Sequence, residues 1–121
     1  MKLLFILMAL PVLASTCKKD KEKDGLLKGK IVRQTCASMV VQVLNNDAIG
    51  EDGWKDMMNN NAQYDNVFSV ANVCKLPEGV KTGAAITFKT ATPVNSGCIF
   101  CMMYDAAPKA QFDLTDVSIV K

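Results

Sequence analysis

The chain has 121 residues, a formal net charge of +2, a 50% hydrophobic content, five cysteines and no histidine. Without an imidazole, Ser-His-Asp and Cys-His nucleophilic machinery, histidine general bases and the usual histidine metal sites are excluded. The length suits one small domain, and no Walker loop or dinucleotide glycine fingerprint occurs. Residues 1–16 begin with a charged Lys2, continue through an apolar run over residues 3–13, and end in Ala14-Ser15-Thr16 before Cys17. That order is an export signal. The apolar run is shorter than the roughly 20 residues a permanent membrane-spanning helix needs.

A cysteine directly after a small-residue triplet resembles the lipobox of bacterial lipoproteins. The resemblance implies cleavage before Cys17 and acylation of its thiol. That family places Leu three residues before the cysteine and Gly or Ala just before it, where this chain has Ala14 and Thr16. The other reading is an ordinary secretory signal cut near Ala14 or Thr16. Each buried methylene of an acyl chain is worth about 0.8 kcal/mol, so two or three chains hold a protein on a membrane.

Residues 18–30 carry six lysines and three acids and almost nothing apolar before Leu26. Such a tract cannot bury enough surface to offset ordering entropy, and residues 17–25 are expected to be a lipidated, flexible tether. A lysine-acid run after the lipidated cysteine resembles the surface-export signals of Bacteroidota lipoproteins, and a plain solvated spacer reads equally well. Nucleic acid is not an expected partner, because the lysines alternate with acids and no aromatics accompany them. From residue 31 onward there are seven basic and nine acidic residues, so the positive charge belongs to the leading segments.

Residues 26–121 form the expected single domain. Leu26 to Gln34 reads as a first strand, with Gly29 permitting a bulge, and Ser38 to Leu44 as a β-branched second. Trp54, Met57 and Met58 fall at helical spacing and predict one short helix. Val67 to Cys74 is a third strand, ended by the turn signal Leu76-Pro77-Glu78-Gly79. Ala85 to Thr90 alternates Ile86 and Phe88 against Thr87 and Lys89. Ile99 to Tyr104 is expected to be a fifth strand. A loop and a short terminal strand complete the chain.

Five or six short strands with one helix predict an all-β fold. A small barrel is favoured over a β-sandwich, since about 90 residues make few strands for two sheets and closure removes edges. The strand opening Gly29-Lys30-Ile31-Val32 and the later turn and strand Lys81 to Phe88 resemble the OB fold. The predicted helix stands one connection earlier than that pattern places it. Taken whole, the chain resembles the small OB-like lipoproteins of Bacteroidota, a likeness that implies an envelope address, expected at the outer membrane, and a fold, but no reaction.

Four cysteines follow Cys17: Cys36, Cys74, Cys98 and Cys101. In an exported small domain they predict two disulfides, with three pairings open. If Cys98 and Cys101 share one strand, their side chains point to opposite faces and each reaches for a more distant partner. Cys98-Ile99-Phe100-Cys101-Met102-Met103 also reads as a soft copper(I) site or a thiol-redox centre, though its apolar flanks disfavour a thiolate. Residues 45–56 track a calcium loop superficially, but Ile49 falls on a ligand position. Glu51 with Asp56, or Asp105 with Asp113, is a weak glycosidase pair. No catalytic residue, metal or cofactor is assigned. The expectation is a non-enzymatic binding module, with Trp54, Tyr64 and Asp105 on the binding face, Trp54 and Tyr64 partly exposed, and a protein or saccharide partner.

Overall fold

The computed structural model describes residues 25–121. The predicted signal peptide (residues 1–16), Cys17 and nearly all of the tether lie outside the described residues. Seven strands follow: β1 Leu27–Gln34, β2 Met39–Val43, β3 Trp54–Asp56, β4 Ala62–Tyr64, β5 Val67–Val70, β6 Ala85–Ala91 and β7 Gln111–Ile119. Five of them close into a barrel in the order β1-β2-β5-β7-β6, with β6 paired back onto β1. All barrel pairs are antiparallel except β5 with β7. This is an OB-like barrel, and the β-sandwich alternative is overturned by its closure.

The barrel forms because period-2 patterning points one apolar set inward. Ile31, Met39, Val41, Phe68, Ile86 and Phe88 are fully or almost fully buried in one cluster. Phe68 contacts Phe88 and Phe112 edge to face, at centroid distances of 6.0 and 5.1 Å. Gly29 lets β1 approach its neighbours closely, since a Cβ there would stand 2.7 Å from Phe88 and 2.9 Å from the Gln42 carbonyl.

β2 is buried on both faces because β3 and β4 pair as a separate hairpin that packs on the outside of the barrel. Directly opposed residues of antiparallel strands share a face. Val41 and its partners Ile31 and Phe68 therefore point inward, whereas Val40 joins Trp54 and Val67 in an outer cluster that also takes in Val32 and Tyr64.

The hairpin corrects the helix expectation. Met57 and Met58 are about half exposed, so their helical spacing reflects no buried face. Asn60 and Asn61 adopt φ of 53° and 55°, the left-handed values Asn tolerates in tight turns, and they reverse the chain there. A 3₁₀ turn, Val73–Lys75, replaces the end of the expected third strand and lies between β5 and β6. The expected strand Ile99 to Tyr104 is also absent. A barrel closed at five strands offers no free edge, and this segment runs outside it with Ile99 and Tyr104 95% and 82% exposed. Phe100, on the same segment, is 37% exposed. The terminal strand β7, expected to be short, is nine residues long.

Candidate functional site

A register shift between Ile31 and Arg33 builds the site. Such a bulge places an extra residue in one strand and re-aims the side chains after it. Ile31 faces the core, Val32 packs outward, and Arg33 stands opposite Val40 on the outer side. There the guanidinium carbon lies 4.9 Å from the Trp54 ring centroid. Arg33 is 6% exposed and meets two buried carboxylates, Nη1 to Asp56 at 2.8 Å and Nη2 to Asp105 at 3.1 Å. Nη2 also donates to Ser38 Oγ at 3.3 Å, while Nε is buried without a hydrogen-bond partner.

Asp105 is the most heavily engaged group. Its Oδ2 accepts from the hydroxyls of Thr35 and Ser38 in addition to Arg33. Thr35 Oγ1 in turn accepts from the N–H groups of Ala37 and Ser38, which closes a tight turn between β1 and β2. Burial raises the Asp105 carboxyl, but the Ser38 and Thr35 hydrogen bonds, the Arg33 charge and its own backbone N–H outweigh that and hold it below its ordinary value. A carboxylate so held is a poor proton acceptor, and the adjacent buried Ser38 gains no activation as a nucleophile from it. The Arg33 network is a clasp rather than reactive machinery.

The clasp fixes one end of a long loop between β6 and β7, residues 92–110. Cys101 bridges Cys36 just after β1, and Cys98 bridges Cys74 on the 3₁₀ turn, with Cα separations of 5.4 and 5.5 Å. The two sulfurs of the CxxC segment thus go to different partners, and neither is a free thiolate for copper or redox chemistry. Three further bonds tie the loop down. Trp54 Nε1 donates to Ala106 O at 2.7 Å, Ser69 Oγ to Pro108 O at 2.9 Å, and Ala110 N to Glu51 Oε1 at 2.8 Å. Ala106 is held at φ 50°, a conformation costly for a residue with a Cβ.

The three predicted binding-face residues are brought together, with a correction. Tyr64 is half-buried and lies 6.0 Å from Trp54 between ring centroids. Trp54, expected to be partly exposed, is 6% exposed, because its ring fills the gap between the outer cluster and Arg33. Asp105 is buried in the clasp rather than offered to a ligand. Beside them opens a pocket of about 570 Å³, walled by Trp54 and Lys55 of β3 and by Cys101 and Met103 to Ala107 of the loop. Lys109, Glu51 and Ala37 complete its lining. Arg33, Lys55 and Lys109 were missed as site residues; for Arg33 the available signal was a lone arginine between Val32 and Gln34 in a strand pattern, and for the two lysines there was none.

The other acids of the candidate loop and pairs make structural bonds. Asp52 accepts from Asn66 N, Asp113 from Val94 N, and Asp56 from Arg33 and Met58 N. Among the described residues no group of three or more His, Cys, Asp or Glu could hold a metal ion, and no helix is long and apolar enough to cross a membrane. No protein-family model and no curated protein matches this chain.

Proposed function

We propose that the chain is an exported envelope protein, fastened to a membrane by acyl chains on Cys17, whose disulfide-stapled barrel is a non-enzymatic binding module. The observation that carries this reading is the fate of the four later cysteines: all are spent on two bridges, the economy of a domain folding in an oxidising compartment. The order of residues 1–17 supplies the export route and the acylated thiol. The outer membrane is the expected destination.

The stapled loop supports the binding role. Two bridges and the Arg33 clasp hold a largely exposed segment beside a pocket, so the ordering cost of that surface is met before a partner arrives. Nine tether residues separate Cys17 from β1, long enough for the barrel to face a partner beyond the membrane surface.

Intact-mass spectrometry of the protein extracted from membranes tests the proposal. The expected species begins at Cys17, carries acyl mass, and shows the deficit of two disulfides. Cys17→Ala is expected to leave the protein out of the membrane fraction. A full-length, reduced chain in the cytoplasm overturns the reading.

A further inference from the structure

The pocket beside the clasp has a shape and chemistry that name a ligand class. Two stretches of chain supply most of its lining. One is β3, which pairs with β4 along one edge and with no strand along the other among the described residues. The other is the loop at Cys101 and Met103 to Ala107, which has no regular structure. The backbone N–H groups of the lining residues Met103, Tyr104 and Ala107 find no protein acceptor among the described residues. An extended peptide is the ligand whose own backbone can answer such groups.

Side chains supply the rest. Tyr104 and Met103 are exposed in the lining and the buried Trp54 ring also contributes to it, giving an apolar contact for one or two side chains. The exposed charged side chains of the lining are both lysines. Lys55 and Lys109 are exposed and make no salt bridge among the described residues. The acids of the same pocket are less exposed than the lysines: Glu51 is half-buried and accepts from the Ala110 N–H, and Asp105 is buried against Arg33, Thr35 and Ser38.

We infer that this trough docks an extended acidic peptide, with an apolar side chain against Tyr104 and Met103 and carboxylates at Lys55 and Lys109. The inference rests on the binding-module reading and names its ligand. The covalent staples hold the Tyr104 wall in place, so docking orders little of the protein itself.

Trp54 is the sole tryptophan, so its fluorescence reports the pocket directly. The test pans a library of random linear dodecapeptides against the full protein purified from membranes, then titrates enriched peptides against Trp54 emission. The expected result is enrichment of peptides combining Asp or Glu with an apolar residue, and a saturable emission change. Lys55→Glu with Lys109→Glu is expected to weaken binding at least tenfold, as is Tyr104→Ala, with the thermal melt unchanged because all three side chains are exposed. Failure to enrich, enrichment of basic peptides, or binding indifferent to the charge reversal overturns the inference. So does an emission change driven instead by phosphatidylglycerol vesicles or by polygalacturonate; in that event the binding module stands and the peptide falls. An unprocessed, reduced chain in the mass measurement brings down the underlying reading separately.

Discussion

Arg33 and Asp56 are 23 residues apart in sequence, yet Nη1 and Oδ1 meet at 2.8 Å with both residues buried. The pair joins β1 of the barrel to β3 of the outer hairpin, beside the apolar contact of Trp54 with Val40 and Val67. A buried ion pair gains little over well-packed apolar residues, but breaking one strands a desolvated charge. Asp56→Ala is therefore expected to cost about 3–5 kcal/mol, read as a lowered urea midpoint. Arg33→Met combined with Asp56→Leu is expected to lose clearly less than the sum of its single substitutions. Strict additivity in that cycle would show that the two groups do not depend on each other.

Asp105 makes stability depend on acid. Its folded-state carboxyl titrates below the ordinary 3.8, so the stabilisation is fully present above that value and is lost as pH falls through the depressed one. Urea midpoints measured from pH 5 downward are expected to fall below pH 4, and Asp105→Asn is expected to flatten part of that decline. An identical slope in the variant would refute the assignment.

The two bridges close loops of different length, 65 and 24 residues. In the chain-entropy account, losing them costs about 4.3 and 3.5 kcal/mol respectively. Cys36→Ser with Cys101→Ser is thus expected to lower the denaturant midpoint more than Cys74→Ser with Cys98→Ser. Removing the first pair also frees the pocket wall, so it should blunt the Trp54 signal, whereas loss of the second should spare it.

Gly29 is needed for contact rather than for an unusual backbone. Gly29→Ala drives a Cβ against the Phe88 ring edge and the Gln42 carbonyl, at 2.7 and 2.9 Å. A flexible tip could yield, but a backbone oxygen in the β1–β2 ladder cannot. The expected cost is about 1–3 kcal/mol in thermal or urea unfolding. An unchanged midpoint would mean that the two strands can part without penalty.

The closed barrel was legible where period 2 was clean. Leu27, Gly29 and Ile31 alternate with lysines, and Ile86 and Phe88 alternate with Thr87 and Lys89, so each strand declared its inner face locally. The loop at Ile99 misled for the opposite reason. Its apolar run has strand composition, but in a small closed barrel the edge that would accept it does not exist, and two crosslinks hold it outside. The helix expectation failed at Met57 and Met58 because apolar spacing means burial only when something lies above it.

By itself the sequence determined that the chain is all-β, which faces of its cleanest strands point inward, and that imidazole chemistry is closed to it. Those properties follow from residue identity and short-range order. Which cysteines bridge, where Arg33 points and what faces the pocket were decided by tertiary structure alone. A one-residue bulge turns Arg33 from one side of β1 to the other, and contacts across 65 residues of chain depend on closing the barrel first. No local pattern encodes either event, because both are set by packing between segments distant in sequence.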